Sequence, residues 1–402
     1  MNRNSALMLI TLVLITILVV GCGTQSSQEG PVGPQGAPGP PGPAGPPGRD
    51  ASVERLYVGA QTCQGCHTGI YDTFILSGHP YKLSPVVNGT PPEYPFTEIP
   101  EPPEGYSWED ISYVIGGYNW KARFIDQEGY IITGDENATT QYNFRNNAIS
   151  MGPEWVAYHA GESEKVYNCG TCHTTGYRPE GNQDERPGLI GTWAEPGIQC
   201  EECHGPGSLH ITNPYSFGME IDRSAESCGA CHIRGDVTQV DASGGLIRHH
   251  EQYEELFQSK HLALECVDCH DPHAGVIQLR EAKIQTTRTT CEQCHFQQAN
   301  FQSNAKHVSF KVDCIDCHMP RLSKSALGDP EQFTGDLRTH VMAIDPFQIG
   351  QFTEDGSLAL SQISLDFACK SCHTPGSSSE RSDEELLEAA VDYHARPEKL
   401  LP

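Results

Sequence analysis

An apolar run lies at the start of the chain. Residues 5–20 contain no charged side chain, Arg3 precedes them, and small and polar residues follow Cys22. A helix that crosses a bilayer needs about 20 apolar residues, so this run is slightly short for one. The pattern predicts an export signal over residues 1–21, with a plain membrane anchor as the alternative.

Three later stretches have a periodic pattern. Residues 111–133 alternate and are rich in aromatic and β-branched side chains, which predicts a β-hairpin. The capping box of Ser382 and Glu385 predicts a helix within residues 379–402. The stretch 246–261 predicts another helix, because one helical face would carry Leu246, His250, Tyr253, Phe257 and His261.

A glycine repeat follows the apolar run. Within residues 30–50, glycine occupies every third position from Gly30 to Gly48, and proline fills many of the others. Only glycine fits at the axis of a collagen triple helix, so the repeat favours a stalk that makes the protein a homotrimer. The alternative is a stiff monomeric spacer in the polyproline II conformation.

The cysteines follow one pattern. The sequence holds 17 cysteines, and all except Cys22 belong to eight copies of Cys-x-x-Cys-His. In c-type cytochromes the two thiols bind one haem covalently and the histidine ligates its iron. Zinc sites usually combine two cysteine pairs and need no histidine after each pair. We predict eight haem c groups, bound by Cys63 and Cys66, Cys169 and Cys172, Cys200 and Cys203, Cys228 and Cys231, Cys266 and Cys269, Cys291 and Cys294, Cys314 and Cys317, and Cys369 and Cys372, with proximal ligands His67, His173, His204, His232, His270, His295, His318 and His373.

Charge and apolar content narrow the choice further. The net charge of −26 argues against nucleic-acid binding, which needs a basic face. Apolar residues make up 37% of the chain, which is a low share for a chain of 402 residues. We therefore expect a mainly α and loop fold built around stacked haems, with a small β-hairpin insert and a flexible N-terminal stalk.

Two parts of the sequence resemble known families. Val19-Val20-Gly21-Cys22 resembles the lipobox of bacterial lipoproteins, which implies cleavage before Cys22 and acylation of its thiol. Residues 55–235, with CQGCHTGIYDTFILSGH, CGTCHTTGY and CEECHGPGSLH, resemble the cytochrome c-554 family. The motifs CVDCHDPH, CIDCHMP and THVMAIDP resemble multihaem cytochromes related to hydroxylamine oxidoreductase and the pentahaem nitrite reductases.

This resemblance implies extracytoplasmic electron transfer through haems with two histidine ligands. It also implies distal ligands at His79, in the SGH motif, and at His210. Two departures argue against catalysis. No motif here has the CxxCK form found at the catalytic haem of the related reductases, and only a short segment follows His373.

Ten histidines remain for the distal positions. Lys260-His261 and Lys306-His307 each precede a motif, and this internal repeat marks both histidines as candidates, as the THVMAIDP cue marks His340. His250 is preferred to His249, because the two lie about 100° apart on a helix and only His250 shares the apolar face. His273 follows its own motif closely, so we expect it to serve a neighbouring haem. His159 and His394 are further candidates.

These observations lead to a domain plan and three hypotheses for the function. The plan has a signal peptide (1–21), a lipid-anchored stalk (22–50), two four-haem domains (51–240 and 241–378) and a C-terminal helix (379–402). The preferred hypothesis is a membrane-anchored electron carrier on the periplasmic side or cell surface. Its redox partners would be other cytochromes or a quinol-linked donor. The alternatives are a reductase or oxidase of small nitrogen or sulfur compounds with one open haem, and a subunit of a cytochrome filament.

Overall fold

The computed structural model describes residues 54–394, except 250, 282–284, 301–304 and 349. Most helices are a single turn or two, and several coincide with a cysteine motif. The exception is α1 (Ala60–Phe74), which carries the first motif in its first half. The others are α2 (Gly170–His173), α3 (Cys200–His204), α4 (Ser208–Thr212), α5 (Ala225–Gly229), α6 (Gln252–Gln258), α7 (Cys266–Cys269), α8 (Val276–Glu281), α9 (Cys291–Cys294), α10 (Phe296–Asn300), α11 (Ala305–Ser309), α12 (Cys314–His318) and α13 (Asp383–Ala390).

The insert between the first and second motifs forms a five-stranded antiparallel sheet. Its order is β1 (Leu83–Pro85), β2 (Ile111–Gly116), β3 (Lys121–Asp126), β4 (Gln141–Asn143) and β5 (Glu154–Val156). The pairing of β2 with β3 confirms the predicted hairpin. One face of the hairpin packs into an apolar cluster, with Val114, Ala122 and Phe124 fully buried.

Two small ladders and a second sheet complete the β-structure. The ladders pair β6 (Thr174–Thr175) with β9 (Glu195–Pro196) and β7 (Arg178–Asn182) with β8 (Ile190–Thr192). The second sheet has the order β13 (Thr334–Leu337), β12 (Ser323–Asp329), β11 (Leu246–Arg248), β10 (Val240–Ser243) and β14 (Leu358–Ala359). The pairing of β11 with β12 is parallel and joins segments far apart in the sequence.

The structure corrects two expectations. The fold is mixed rather than mainly α and loop, because two five-stranded sheets flank the short helices. The stretch 246–261 is not one helix: it begins with strand β11, and only Gln252–Gln258 is helical. Leu246 and Ile247 are buried because they belong to the core of the second sheet, so their apolar spacing reflects strand packing rather than a helical face.

The C-terminal helix is confirmed over Asp383–Ala390, with the capping box of Ser382 and Glu385 in place. Within the described residues, no helix is both long enough and apolar enough to cross a bilayer. The export signal, Cys22 and the glycine repeat lie outside the described residues. The division at residue 240 stays a prediction.

Candidate haem-binding site

A cavity of about 4110 Å³ runs through the described structure. All sixteen motif cysteines and all eight motif histidines line it, although they are spread from residue 63 to residue 373. Most motifs form a short helical turn, on which residues three apart share a face, so both thiols of a motif point to the same side. The cavity therefore lies where an ordinary protein would place an apolar core.

Seven of the eight motif histidines face a second histidine across this cavity. The ring centroids of each pair are 5.8 to 6.3 Å apart. The pairs are His67 with His210, His204 with His273, His232 with His79, His270 with His340, His295 with His261, His318 with His394, and His373 with His307.

This spacing fits a metal ion between the two rings. A metal–imidazole bond of about 2 Å on each side, added to the two ring radii, requires centroids roughly 6 Å apart. Direct stacking of two rings would bring them closer, and a hydrogen bond between two nitrogens would not recur at seven places. The cysteine pair beside each motif histidine supplies the thiols for covalent attachment. The residues present therefore fit haem c.

The second ring nitrogen of several paired histidines has a backbone partner. Such contacts orient a ligating ring, fix its tautomer and leave Nε2 for the metal. The Nδ1 atom lies near a carbonyl oxygen in His318 (Met342, 2.9 Å), His204 (Glu220, 3.2 Å), His210 (Phe217, 2.8 Å) and His394 (Gln298, 3.1 Å).

The internal repeat has a structural meaning. His261 precedes the fifth motif but faces His295 of the sixth, and His307 precedes the seventh but faces His373 of the eighth. Each histidine of the repeat therefore faces not the motif that follows it directly but the next motif along the chain. His273 likewise faces the third motif rather than its own, as expected.

Contacts between motifs give an order in space. Neighbouring motifs have thiols close enough to interact electrostatically, and this holds for Cys63 with Cys200, Cys203 with Cys228, Cys228 with Cys266, Cys269 with Cys291, Cys291 with Cys314, and Cys317 with Cys369. The line runs through motifs one, three, four, five, six, seven and eight. The second motif joins it at the fourth, through Cys172 and Cys231. The motifs therefore form one connected line with a single branch.

The exception among the motif histidines is His173, at the end of that branch. Its Nδ1 lies 3.2 Å from the carbonyl oxygen of Lys82, as for a proximal ligand. Among the described residues, no second histidine ring faces it. Burial, with the charge of Lys82 second, lowers the pKa of His173 to about 4. The charges of Arg123 and Lys121 also contribute to this shift.

Strand β3 aims these two cations into the cavity. Side chains two apart on a strand share a face, so Lys121 and Arg123 point to the cavity while Ala122 points to the core. The Lys121 ammonium donates a hydrogen bond to the carbonyl oxygen of Ser325. The Arg123 guanidinium lies 3.6 Å from the centre of the Tyr158 ring, which also lines the cavity.

A third cation comes from the segment after the fourth motif. The charge of Arg234 acts on Cys172 of the second motif and on Lys121. Burial, with the repulsion of Arg123 second, lowers the pKa of Lys121 to about 7. The His173 site thus combines half-buried positive charge with an aromatic hydroxyl.

Sequence comparisons agree with this geometry. The family model "Cytochrome c554 and c-prime" matches residues 137–205. The multiheme cytochrome MtrA of Shewanella baltica is 28% identical over 147 residues, which is 33% of this chain and 39% of MtrA. The dissimilatory sulfite reductase MccA of Wolinella succinogenes is 22% identical over 403 residues, covering 72% of this chain and 55% of MccA. The chain thus spans only part of the length of these relatives.

Solved structures show the same fold. The outer cell wall cytochrome OcwA superposes with a TM-score of 0.51 at 20% identity, covering 84% of this chain and 86% of OcwA. The octaheme sulfite reductase MccA gives 0.53 at 17% identity, covering 79% of this chain and 65% of MccA. This chain is a multihaem c-type cytochrome.

The cytochrome does not use every predicted histidine in this way. His159 does not line the cavity; its Nδ1 lies 2.6 Å from a Glu162 carboxylate oxygen and its side chain is 41% exposed. The structure therefore contradicts His159 as a distal ligand. His250 lies outside the described residues. The ring of His249 lies beside the Arg234 guanidinium, at 3.3 Å.

The sequence patterns of the cytochrome did not predict the positively charged residues near His173. One signal was present: the alternation in Lys121-Ala122-Arg123 places two positive charges on one face of a predicted hairpin strand. Tyr158 stands beside the predicted candidate His159 and belongs to no motif of its own. Arg234 could not be found, because it reaches the second motif only through the contact between motifs two and four.

Proposed function

We propose that the protein is an octahaem electron-transfer cytochrome with seven bis-histidine haems and one haem, at His173, that is open on its distal side. The observation that carries this proposal is the recurrence of histidine pairs about 6 Å apart at seven motifs, whereas no second histidine ring among the described residues faces His173 of the second motif. Two imidazoles fill both axial positions of an iron, which suits electron transfer because no substrate can bind. The connected line of motifs supports a relay along the chain.

The relay would work outside the cytoplasm. The predicted export signal, acylation of Cys22 and the glycine repeat favour a lipid-anchored protein held away from its membrane, with other cytochromes as redox partners. If residues 30–48 form a triple helix, the full-length protein is trimeric and its deletion variant monomeric in light scattering. A monomeric full-length protein would leave the spacer interpretation alone. His394 lies beside His318 of the same chain, so we do not propose its donation to a neighbouring chain.

A second function is favoured at the end of the branch: binding and reduction of a small oxyanion of nitrogen or sulfur. The support is the cation cluster of Lys121, Arg123 and Arg234 around the second motif. The relative MccA is described as a sulfite reductase, and sulfite is an oxyanion of this class. Haem iron would supply the electrons and a coordination position. Lys121 and Arg123 would hold anionic oxygens, and Tyr158, whose ring packs against Arg123 in the same cavity, would offer its hydroxyl as a hydrogen-bond donor.

An anion titration tests both parts of this proposal. Nitrite or sulfite is added to the oxidised holoprotein, and the optical difference spectrum is followed. We expect saturation at one anion per eight haems. Lys121→Met and Arg123→Met should each weaken binding at least about tenfold, since a hydrogen bond to a charged group contributes about 1.5–3 kcal/mol and about 1.4 kcal/mol is a factor of ten.

The control is Arg178→Met, which removes an exposed arginine on β7 outside the cavity and should leave the affinity unchanged. A wild-type protein that shows no spectral change with either anion would contradict the open site. An equal loss of affinity in the control would mean that net charge, rather than the cluster, attracts the anion.

A further inference from the structure

The last described turn of the chain contacts two different histidine pairs. His394 faces His318, with 6.1 Å between ring centroids. The residue before it, Tyr393, places its hydroxyl oxygen 3.0 Å from Nδ1 of His307. His307 in turn faces His373 of the eighth motif, again with 6.1 Å between centroids. Two adjacent residues therefore contact the histidine pairs of the seventh and eighth motifs.

Contacts with the eighth motif hold this turn in place. The Lys370 ammonium lies 2.8 Å from a carboxylate oxygen of Asp383, the first residue of α13. Lys370 belongs to the single π-helical turn Asp366–Lys370, which contains Cys369. Leu386, on the same helix α13, is buried. The helix that precedes the turn of Tyr393 is therefore anchored to the motif whose facing histidine Tyr393 contacts.

The hydroxyl of Tyr393 is positioned to act on the metal-binding strength of His307. If Nε2 of His307 points to the metal, Nδ1 carries the proton and donates it in a hydrogen bond to the Tyr393 oxygen. A hydrogen bond of this kind orients a ligating imidazole and raises its basicity. A more basic ligand stabilises the oxidised metal, so the contact should lower the reduction potential at this site.

The partner of His307 differs in kind from those of two other distal histidines. His210 and His394 each have a backbone carbonyl oxygen near Nδ1, from Phe217 and Gln298 respectively. A backbone acceptor cannot be removed by substitution, whereas a side-chain hydroxyl can. The eighth motif thus has a distal ligand whose hydrogen-bond partner depends on one side chain.

We propose that Tyr393 is a positioning residue that holds His307 and sets the reduction potential of the haem at Cys369–His373. The next residue, His394, faces His318, so the same turn also contributes a side chain to the site at Cys314–His318. The inference rests on the proposed function in one respect, namely that His307 and His373 are axial ligands of one haem.

The test is a redox titration of the full-length holoprotein followed by EPR spectroscopy. In Tyr393→Phe, one low-spin component should move to a more positive potential while the other components stay in place. We expect a change of the order of tenfold in the equilibrium constant for reduction, which is 59 mV for one electron. Tyr106→Phe removes a hydroxyl outside the cavity and should change no component.

Rescue separates hydrogen bonding from packing. Tyr393→Gln offers an amide oxygen as acceptor and should keep the potential close to that of the wild type. An equal shift in Tyr393→Phe and Tyr393→Gln, or no shift in Tyr393→Phe with eight haems bound, would overturn the inference. If Tyr393→Phe does not mature, Tyr393→Gln decides alone: an unchanged potential supports the inference and a shifted one contradicts it.

A separate variant isolates the proposed function. His307→Ala should convert one low-spin iron to high spin. If it does not, the assignment of His307 as an axial ligand fails, whatever the Tyr393 variants show. If it does, and the Tyr393 variants leave every potential unchanged, only the positioning role is lost.

Discussion

The motif histidines His204 and His173 lie on adjacent parts of the same molecule but have opposite surroundings. The His204 ring is parallel to that of His273, at 6.1 Å and an interplanar angle of 5°. Lys82, Arg123 and Lys121 instead place positive charge near His173 and, in the part of the chain that the structure describes, no second histidine ring faces it. The attachment motif is the same in both, CEECH and CGTCH, so attachment alone does not determine what a haem site can do. The segment that reaches the distal side makes the difference.

The origin of the distal side chain explains this contrast. His273 follows the fifth motif but faces the third. This is possible because the fourth motif contacts both of them. Near the second motif, strand β3 of the insert borders the cavity, and a strand offers alternate side chains to one face. Lys121 and Arg123 occupy those positions. The insert therefore supplies positive charge near the second motif, whereas the segment after the fifth motif supplies an imidazole to the third.

The largest effect is expected when the third motif loses the histidine that faces it, because its surroundings would then resemble those of His173. His273→Ala should give the third motif an open distal side, and one low-spin iron should become high spin in the EPR spectrum. Carbon monoxide binding by the reduced protein should rise from one equivalent to two. If both signals stay at the wild-type level, His273 does not ligate the third haem.

A smaller effect concerns the charge at the His173 site. Burial lowers the pKa of Lys121 to about 7, so the ammonium is charged below this pH and loses its proton as the pH rises through 7. Nitrite stays a monoanion over this range, so its affinity should fall several-fold between pH 6 and pH 8. In Lys121→Met the dependence on pH should flatten. A slope that survives in Lys121→Met would assign the titration to another group.

The smallest effect is expected at His159. Its pairing with Glu162 is solvent-exposed, and exposed ion pairs contribute little to stability because solvent and salt screen them. His159→Ala should leave the EPR spectrum and the haem content unchanged and should shift the urea midpoint only slightly. A new high-spin iron in this variant would return His159 to the ligand set and close the His173 site.

The sequence was informative wherever the chemistry is local. The spacing within each motif, the hairpin over 111–133 and the capping box at Ser382 depend on residues a few positions apart, and each could be read without the fold. The candidates His79 and His210 could be named from the family resemblance, and His261, His307 and His340 from local cues. His273 could be named from its place just after the fifth motif, and His394 from its place within the predicted C-terminal helical segment.

Contacts between residues far apart in the sequence could not be predicted in the same way. The parallel pairing of β11 with β12 connects residues 76 positions apart, as Ile247 with Ser323, and neither strand has a clear alternation of its own. The helix predicted over 246–261 was wrong for this reason, since the burial of Leu246 comes from the second sheet. The partner of each distal histidine depends equally on which motifs become neighbours, so the exception at His173 was visible only in the structure.

The most direct test of this account is spin quantitation by EPR on oxidised protein whose haem content has been measured by the pyridine haemochrome assay. We predict eight haems per chain, seven low-spin and one high-spin, with the high-spin signal altered by nitrite and insensitive to His159→Ala. Eight low-spin haems and no binding of nitrite or carbon monoxide would contradict the open site at His173. Two or more high-spin haems would contradict the assignment of the histidine pairs.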